Sequence, residues 1–273
     1  MKKLKIGLLL LLTVGWGQAC TKAEPRTPQH VEPEYDVFLL IGQSNMAGRG
    51  EMLPEDLNPI EGVWLLDYND RPAPATNPLN RYSTVRKELS LQQIGPGYSF
   101  SREIAARTGR KVLLVVNALG GSSIGQWSKN AALIQDEHSI GHNRRQLYEE
   151  ILVRAKRARK YGRIKAILWH QGEANASEKL IPYYLPALKK FVEDLRTDLG
   201  MPTLPFIAGE LGPWREQHVK FNEMLRLLPG SIPYSGYVSA EGCTANPDNL
   251  HFTREAQLLL GERYAERVLE LCY

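Results

Sequence analysis

The chain has 273 residues, 43% hydrophobic and 23% charged, with a formal net charge of +4. That composition excludes a low-complexity chain and allows one large domain with a sizeable core. The basic residues are scattered, with no stripe of Lys and Arg interleaved with aromatics, which argues against a nucleic-acid surface.

Met1-Lys2-Lys3-Leu4-Lys5 is a basic leader, followed by an apolar run over 6–16 that is too short to span a bilayer, and then by Gly17-Gln18-Ala19-Cys20. This is the pattern of a secretory signal. Ordinary cleavage after Ala19 is one ending. The other is lipidation of Cys20 as the first mature residue, and Gly17-Gln18-Ala19-Cys20 resembles a bacterial lipobox with Gly17 in place of the usual Leu. The position of Cys20 favours lipidation. The expectation is a signal peptide over 1–19, a Pro- and charge-rich tether over 20–33 and one domain over 34–273, exported to the periplasm or cell surface of a bacterium. Cys243 and Cys272 remain as a pair in an exported chain, either disulfide-bonded or as two buried thiols.

Tyr35-Asp36-Val37-Phe38-Leu39-Leu40 is short and apolar enough to read as a buried parallel strand, so Ser44 falls just past its C-terminal end. Residues 49–97 look irregular apart from a possible short strand at Val63-Trp64-Leu65-Leu66-Asp67. Long loops of this kind are often functional, and this one is expected to wall the active site. A helix over 98–108, ended by Gly109, leads to a second strand over 111–117 and to Gly120-Gly121-Ser122-Ser123. A charged helix over 142–161 with one apolar face precedes a third strand, 164–170, which ends in Gln171-Gly172-Glu173. Then come a helix over 183–199 ended by Gly200, a strand over 204–210, a helix over 216–228 and a short strand over 234–239. The last helix has Thr253 as its N-cap and an apolar stripe of Ala256, Leu260, Tyr264, Val268 and Leu271. Strand then helix, five times over, calls for a five-stranded parallel sheet with helices on both faces.

Four polar or Gly-rich turns lie after strands, and in a parallel sheet such turns share one edge, where ligands bind. They hold Ser44, Gly120-Gly121, Gln171 with Glu173, and Asp248-x-x-His251. Serine is a weak nucleophile that needs a base, and the base needs an orienting carboxylate; His251 with Asp248 supplies both. Met46 replaces the last glycine of a Gly-x-Ser-x-Gly elbow, which argues against the α/β-hydrolase fold. Gly120 or Gly121 can present a backbone N–H to an oxyanion, Gln171 a side-chain amide, and Ser44 its own N–H.

Gly42-Gln43-Ser44-Asn45-Met46, Gly120-Gly121-Ser122-Ser123, Trp169-His170-Gln171-Gly172-Glu173 and Asp248-x-x-His251 resemble the successive blocks of the SGNH hydrolase superfamily. More narrowly, they are similar to its branch of sialate O-acetylesterases and family 6 carbohydrate esterases, which includes acetylxylan esterases. Gly95-Pro96-Gly97 and Gly209-Glu210-Leu211-Gly212 also look like that branch. The resemblance implies a flavodoxin-like three-layer α/β/α sandwich with no metal or other cofactor. It implies a serine esterase acting on an acetylated carbohydrate such as sialic acid or xylan. Ser44 would be the nucleophile, His251 the base and Asp248 its orienter, with Ser44, Gly120 and Gln171 forming the oxyanion hole. Glu173 is the rival acid, expected to buttress loops.

Other readings stay open. The esters could be lipid or aryl esters, or the chain could be a non-catalytic surface glycan-binding protein. His138 and His142 lack an accompanying carboxylate cluster, so a metal site is not expected there. His170 reads as a satisfied buried histidine. Trp64 and Trp127 suit either sugar stacking or the core. Arg49 and Arg71 can meet a carboxylate-bearing substrate or simply be solvated.

Overall fold

The computed structural model describes residues 34–131 and 146–273. The expected signal and tether, Cys20 and the His138 and His142 pair lie outside these residues. The strands are β1 (Tyr35–Gly42), β2 (Val63–Leu66), β3 (Pro72–Pro74), β4 (Lys111–Ala118), β5 (Gly162–His170), β6 (Phe206–Gly209) and β7 (Ser235–Val238). They form one sheet in the order β3-β2-β4-β1-β5-β6-β7. All neighbours are parallel except β2 and β3.

The sheet therefore has seven strands, not the expected five. Strands β4-β1-β5-β6-β7 make up the expected set, and their order is the 2-1-3-4-5 of flavodoxin-like sheets. β2 and β3 extend the sheet beyond β4. The motif Pro72-Ala73-Pro74 does not look like a strand because its prolines cannot donate to a ladder. Only an edge position tolerates it, and β3 is at the edge, antiparallel to β2 with Leu65 opposite Ala73.

The helices are α1 (Ser44–Ala47), α2 (Gly97–Thr108), α3 (Leu147–Ala158), α4 (Ile181–Leu199), α5 (Glu216–Leu225), α6 (Leu228–Ser231) and α7 (Arg254–Cys272). Side chains alternate across β1, which is buried throughout. Val37, Leu39 and Ile41 join the apolar faces of α3, α4 and α5 in one core. Phe38 and Leu40 join α2 and α7 in the other. The sheet is thus covered on both faces, as a buried parallel sheet requires.

Gly109 and Gly200 end α2 and α4 in the left-handed conformation, and Thr253 Oγ1 accepts from the Ala256 N–H at the start of α7. Four of the five expected stripe residues of α7 are buried, whereas Leu271 is 40% exposed. The helix expected over 216–228 breaks after Leu225, and α6 follows.

Residues 49–97 are more ordered than their sequence suggests. Besides β2 and β3 they hold three short 3-10 turns, Pro54–Leu57, Leu79–Tyr82 and Leu89–Leu91. Asn80 pins the segment to the end of β4: its Nδ2 donates to Ala118 O (3.0 Å) and its Oδ1 accepts from Ala118 N (3.1 Å). Buried Asp56 pairs with Arg254 at the start of α7, which anchors the other end. Cys243 and Cys272 are both free thiols, which settles that alternative against a disulfide.

Candidate active site

β1 lies between β4 and β5, where the order of connections reverses, so a crevice opens at the C-terminal ends of these three strands. Gly42 ends β1 at φ +152°, and a Cβ there would stand 2.1 Å from the carbonyl oxygen of His170. Only glycine lets the two strand ends approach so closely. The chain then turns into α1, with Ser44 as its first residue. The Ser44 N–H has no partner among the described residues.

Asp248 and His251 reach Ser44 from a loop about 200 residues away. His251 Nε2 is 2.9 Å from Ser44 Oγ, and His251 Nδ1 is 2.5 Å from Asp248 Oδ2. A carboxylate can only accept, so Nδ1 carries the proton and Nε2 accepts from the Ser44 hydroxyl. Asp248 Oδ1 accepts from the N–H groups of Leu250 and His251, both at 2.9 Å. Burial pushes the Asp248 carboxyl up, but these N–H groups and the imidazole outweigh it and hold it below its usual range. Arg215 steadies the same loop from outside, donating to the carbonyls of Asn249 (3.0 Å) and Asp248 (3.2 Å).

Gly120 faces Ser44. A Cβ at Gly120 would lie 3.6 Å from Ser44 Cβ, whereas one at Gly121 would meet nothing within 4 Å. The Gly120 N–H has no other partner among the described residues. Gln171 is brought to the same strand edge but is turned inward. Its Nε2 donates to Ser122 O and Asn175 Oδ1, both at 2.9 Å, with Gln43 Oε1 at 3.3 Å. Its Oε1 accepts from the Tyr184 hydroxyl (2.9 Å). An amide with two hydrogens and three acceptors has none left for an oxyanion. In this arrangement Gln171 ties the turns after β4 and β5 together, which differs from the donor role expected of it.

Glu173 does not touch His251. Its Oε1 accepts from Asn45 Nδ2 (2.5 Å), and burial raises its carboxyl to about 7 against the opposing pull of nearby N–H groups and Asn45. Arg49 and Lys87, from the 49–97 segment, lie against Gly120, so this segment does form one side of the site. Burial lowers the Arg49 guanidinium to about 10, partly offset by Asp248. Its Nη1 donates to Gly48 O (2.6 Å), and no described carboxylate lies within ion-pair distance of it.

Of the remaining candidates, Trp127, Trp64 and His170 pack in or against the interior, and Arg71 does not. Trp127 is fully buried, donates to Ser122 Oγ (2.9 Å) and meets Trp169 edge to face. Trp64 packs on Tyr35, opposite Leu113 and Pro74 within the sheet. His170 is buried against Phe252 and held neutral by desolvation, its pKa lowered to about 3. Arg71 is exposed in the turn between β2 and β3. Sequence reasoning missed Asn45, Asn175, Arg215 and Asn246, which orient the site through hydrogen bonds, Asn246 by donating from Nδ2 to the carbonyl of Arg49 (3.1 Å). Asn45 alone carried a signal, as part of the Gln43-Ser44-Asn45 turn.

The family model of SASA, described as "Carbohydrate esterase, sialic acid-specific acetylesterase", matches residues 34–270. The Arabidopsis thaliana protein named "Probable carbohydrate esterase At4g34215" is 30% identical over 257 residues, covering 87% of this chain and 91% of that protein. Its crystal structure superposes with a TM-score of 0.75 at 28% identity, over 88% of this chain and 100% of that one. NanS shares the fold at a TM-score of 0.65 and 17% identity, over 88% of this chain and 98% of that one. A structure described as a carbohydrate acetylesterase from Xanthomonas citri shares it at 0.64 and 19% identity, over 87% of this chain and 57% of that one. With a profile match spanning the described sheet and every candidate residue, the chain belongs to the SASA family of carbohydrate esterases, the sialic acid-specific acetylesterases.

Proposed function

We propose that this carbohydrate O-acetylesterase works as a serine hydrolase, through an acetyl-enzyme. The observation that carries the reading is the unbroken hydrogen-bonded line from Asp248 through His251 to Ser44. Ser44 Oγ attacks the acetyl carbonyl while His251 Nε2 takes its proton. The N–H groups of Ser44 and Gly120 receive the oxyanion, each such donor contributing on the order of 100- to 1000-fold in rate. The imidazolium, stabilised by ionised Asp248, gives its proton to the departing sugar oxygen. Water then attacks the acetyl group on Ser44 while His251 takes its proton; the bond from Ser44 Oγ to the acetyl carbon breaks, His251 returns the proton to Ser44 Oγ, and acetate leaves.

Arg49 supports a sugar that bears a carboxylate, such as an acetylated sialic acid. A guanidinium drawn out of water beside the nucleophile, with no carboxylate paired to it among the described residues, favours an anionic ligand. The test is acetate release across a panel including O-acetylated sialic acids and acetylated xylan. Higher kcat/KM on the sialic acids is expected. Equal or faster turnover of xylan would remove Arg49 as a carboxylate receptor. No acetate from any glycan would sink the esterase reading itself.

The leader supports export with a lipid on Cys20. Cys20→Ser is then expected to move the protein from the membrane fraction to the soluble one. Unchanged membrane retention would reject the anchor.

A further inference from the structure

Every polar atom of the Asn45 carboxamide is engaged, and two of its bonds go to the peptides on either side of His251. Nδ2 donates to the carbonyl of Leu250 (3.3 Å), and Oδ1 accepts from the N–H of Phe252 (3.2 Å). Two more partners dictate which way the amide faces. Glu173 Oε1 accepts from Nδ2 (2.5 Å), and Gln257 Nε2 donates to Oδ1 (3.4 Å). A flipped amide would set donors against donors and acceptors against acceptors. Asn45 is fully buried and is covalently the next residue after Ser44.

We infer that Asn45 is the positioning residue that sets His251 on Ser44, by clamping both peptides that flank the imidazole to the helix turn that carries the hydroxyl. This inference rests on the serine-esterase reading above. Proton transfer from Ser44 needs His251 Nε2 within hydrogen-bond reach, and a displacement of about 1 Å costs on the order of 100-fold in rate.

Asn45→Asp keeps the shape and changes only the donor. The new carboxyl faces Glu173 from the turn after β5; the Glu173 charge in turn helps raise the buried phenols of Tyr184 of α4 and Tyr264 of α7. His251 and Asp248 lie on the clamped loop, and neutral His170 lies beneath Phe252. Two facing carboxyls retain a shared proton at low pH and lose it as pH rises. With the proton, position 45 still donates one hydrogen bond. Without it, the position repels both Glu173 and the Leu250 carbonyl.

The experiment measures aryl-acetate hydrolysis from pH 5 to pH 9 for the wild type, Asn45→Asp, and Asn45→Asp combined with Glu173→Gln, with melting curves at each pH. The ratio of wild-type to Asn45→Asp kcat is expected to grow from about tenfold at pH 5 to about 100-fold at pH 9, with KM nearly unchanged. Glu173→Gln supplies an amide donor to the new carboxylate and is expected to recover about tenfold at pH 9. A loss that stays constant across pH, wild-type rates for Asn45→Asp at pH 9, or no recovery in the double variant would each overturn the inference. If a variant melts below the assay temperature at pH 9, the ratio is read at the highest pH at which it is folded. A wild type without esterase activity would instead defeat the parent reading.

Discussion

Ser44→Ala is expected to lower kcat for acetate release by about 10^4- to 10^6-fold, the loss found when a triad nucleophile is removed. Among the described residues the hydroxyl is engaged only with His251 Nε2 (2.9 Å). Its removal leaves Met46 and Ala47 packed in the core and the Asn45 clamp intact. Stability should therefore fall by only about 1 kcal/mol, the usual worth of one neutral hydrogen bond. The two readouts together separate chemistry from folding. Turnover within about tenfold of the wild type would remove Ser44 from the nucleophile role.

Asp248→Asn is the second large effect, a loss on the order of 10,000-fold in kcat. Asp248 Oδ2 selects the tautomer with the proton on His251 Nδ1, leaving Nε2 to accept from Ser44. An amide that turns its NH2 to Nδ1 selects the opposite tautomer, whose Nε2–H cannot accept a proton. The remaining amide oxygen still accepts the N–H groups of Leu250 and His251, so the loop is kept and the loss is one of tautomer. Glu173→Gln is the comparison. Burial already raises the Glu173 carboxyl to about 7, so near neutrality the charge lost is partial. A glutamine oxygen still accepts from Asn45, and the expected loss is about tenfold, the equivalent of one hydrogen bond. The claim is checked by measuring kcat for both variants near pH 7; a larger loss in Glu173→Gln than in Asp248→Asn would make Glu173 the acid that matters.

Much of the fold is legible in the chain because buried parallel strands announce themselves. Val37, Leu39 and Ile41 on one side of β1 and Phe38 and Leu40 on the other leave no polar face, which only a sheet covered on both sides accommodates. Helix ends are equally readable where a single residue decides them, as Gly109, Gly200 and Thr253 do. β3 is not readable, because Pro72 and Pro74 oppose strand pairing everywhere except at an edge, and edge status is a property of the whole sheet. The order within residues 49–97 is hidden for a similar reason: Asn80 and Asp56 act through partners 38 and 198 positions away.

The amino-acid order alone determined which residues can do the chemistry: a strand-end Ser44, a glycine pair, and a carboxylate three residues before His251. It also determined what the fold is not, since Met46 breaks the nucleophile elbow and is buried in the core. Tertiary structure decided the assignments among equals. It set Gly120 rather than Gly121 against Ser44, and Asp248 rather than Glu173 on His251. It turned Gln171 inward and made Asn45 a clamp. The physical reason is that a hydrogen bond has a direction as well as a partner. Residue type limits a side chain to donating, accepting or both, but only the folded neighbourhood, assembled from positions more than 200 residues apart, determines which atom faces which.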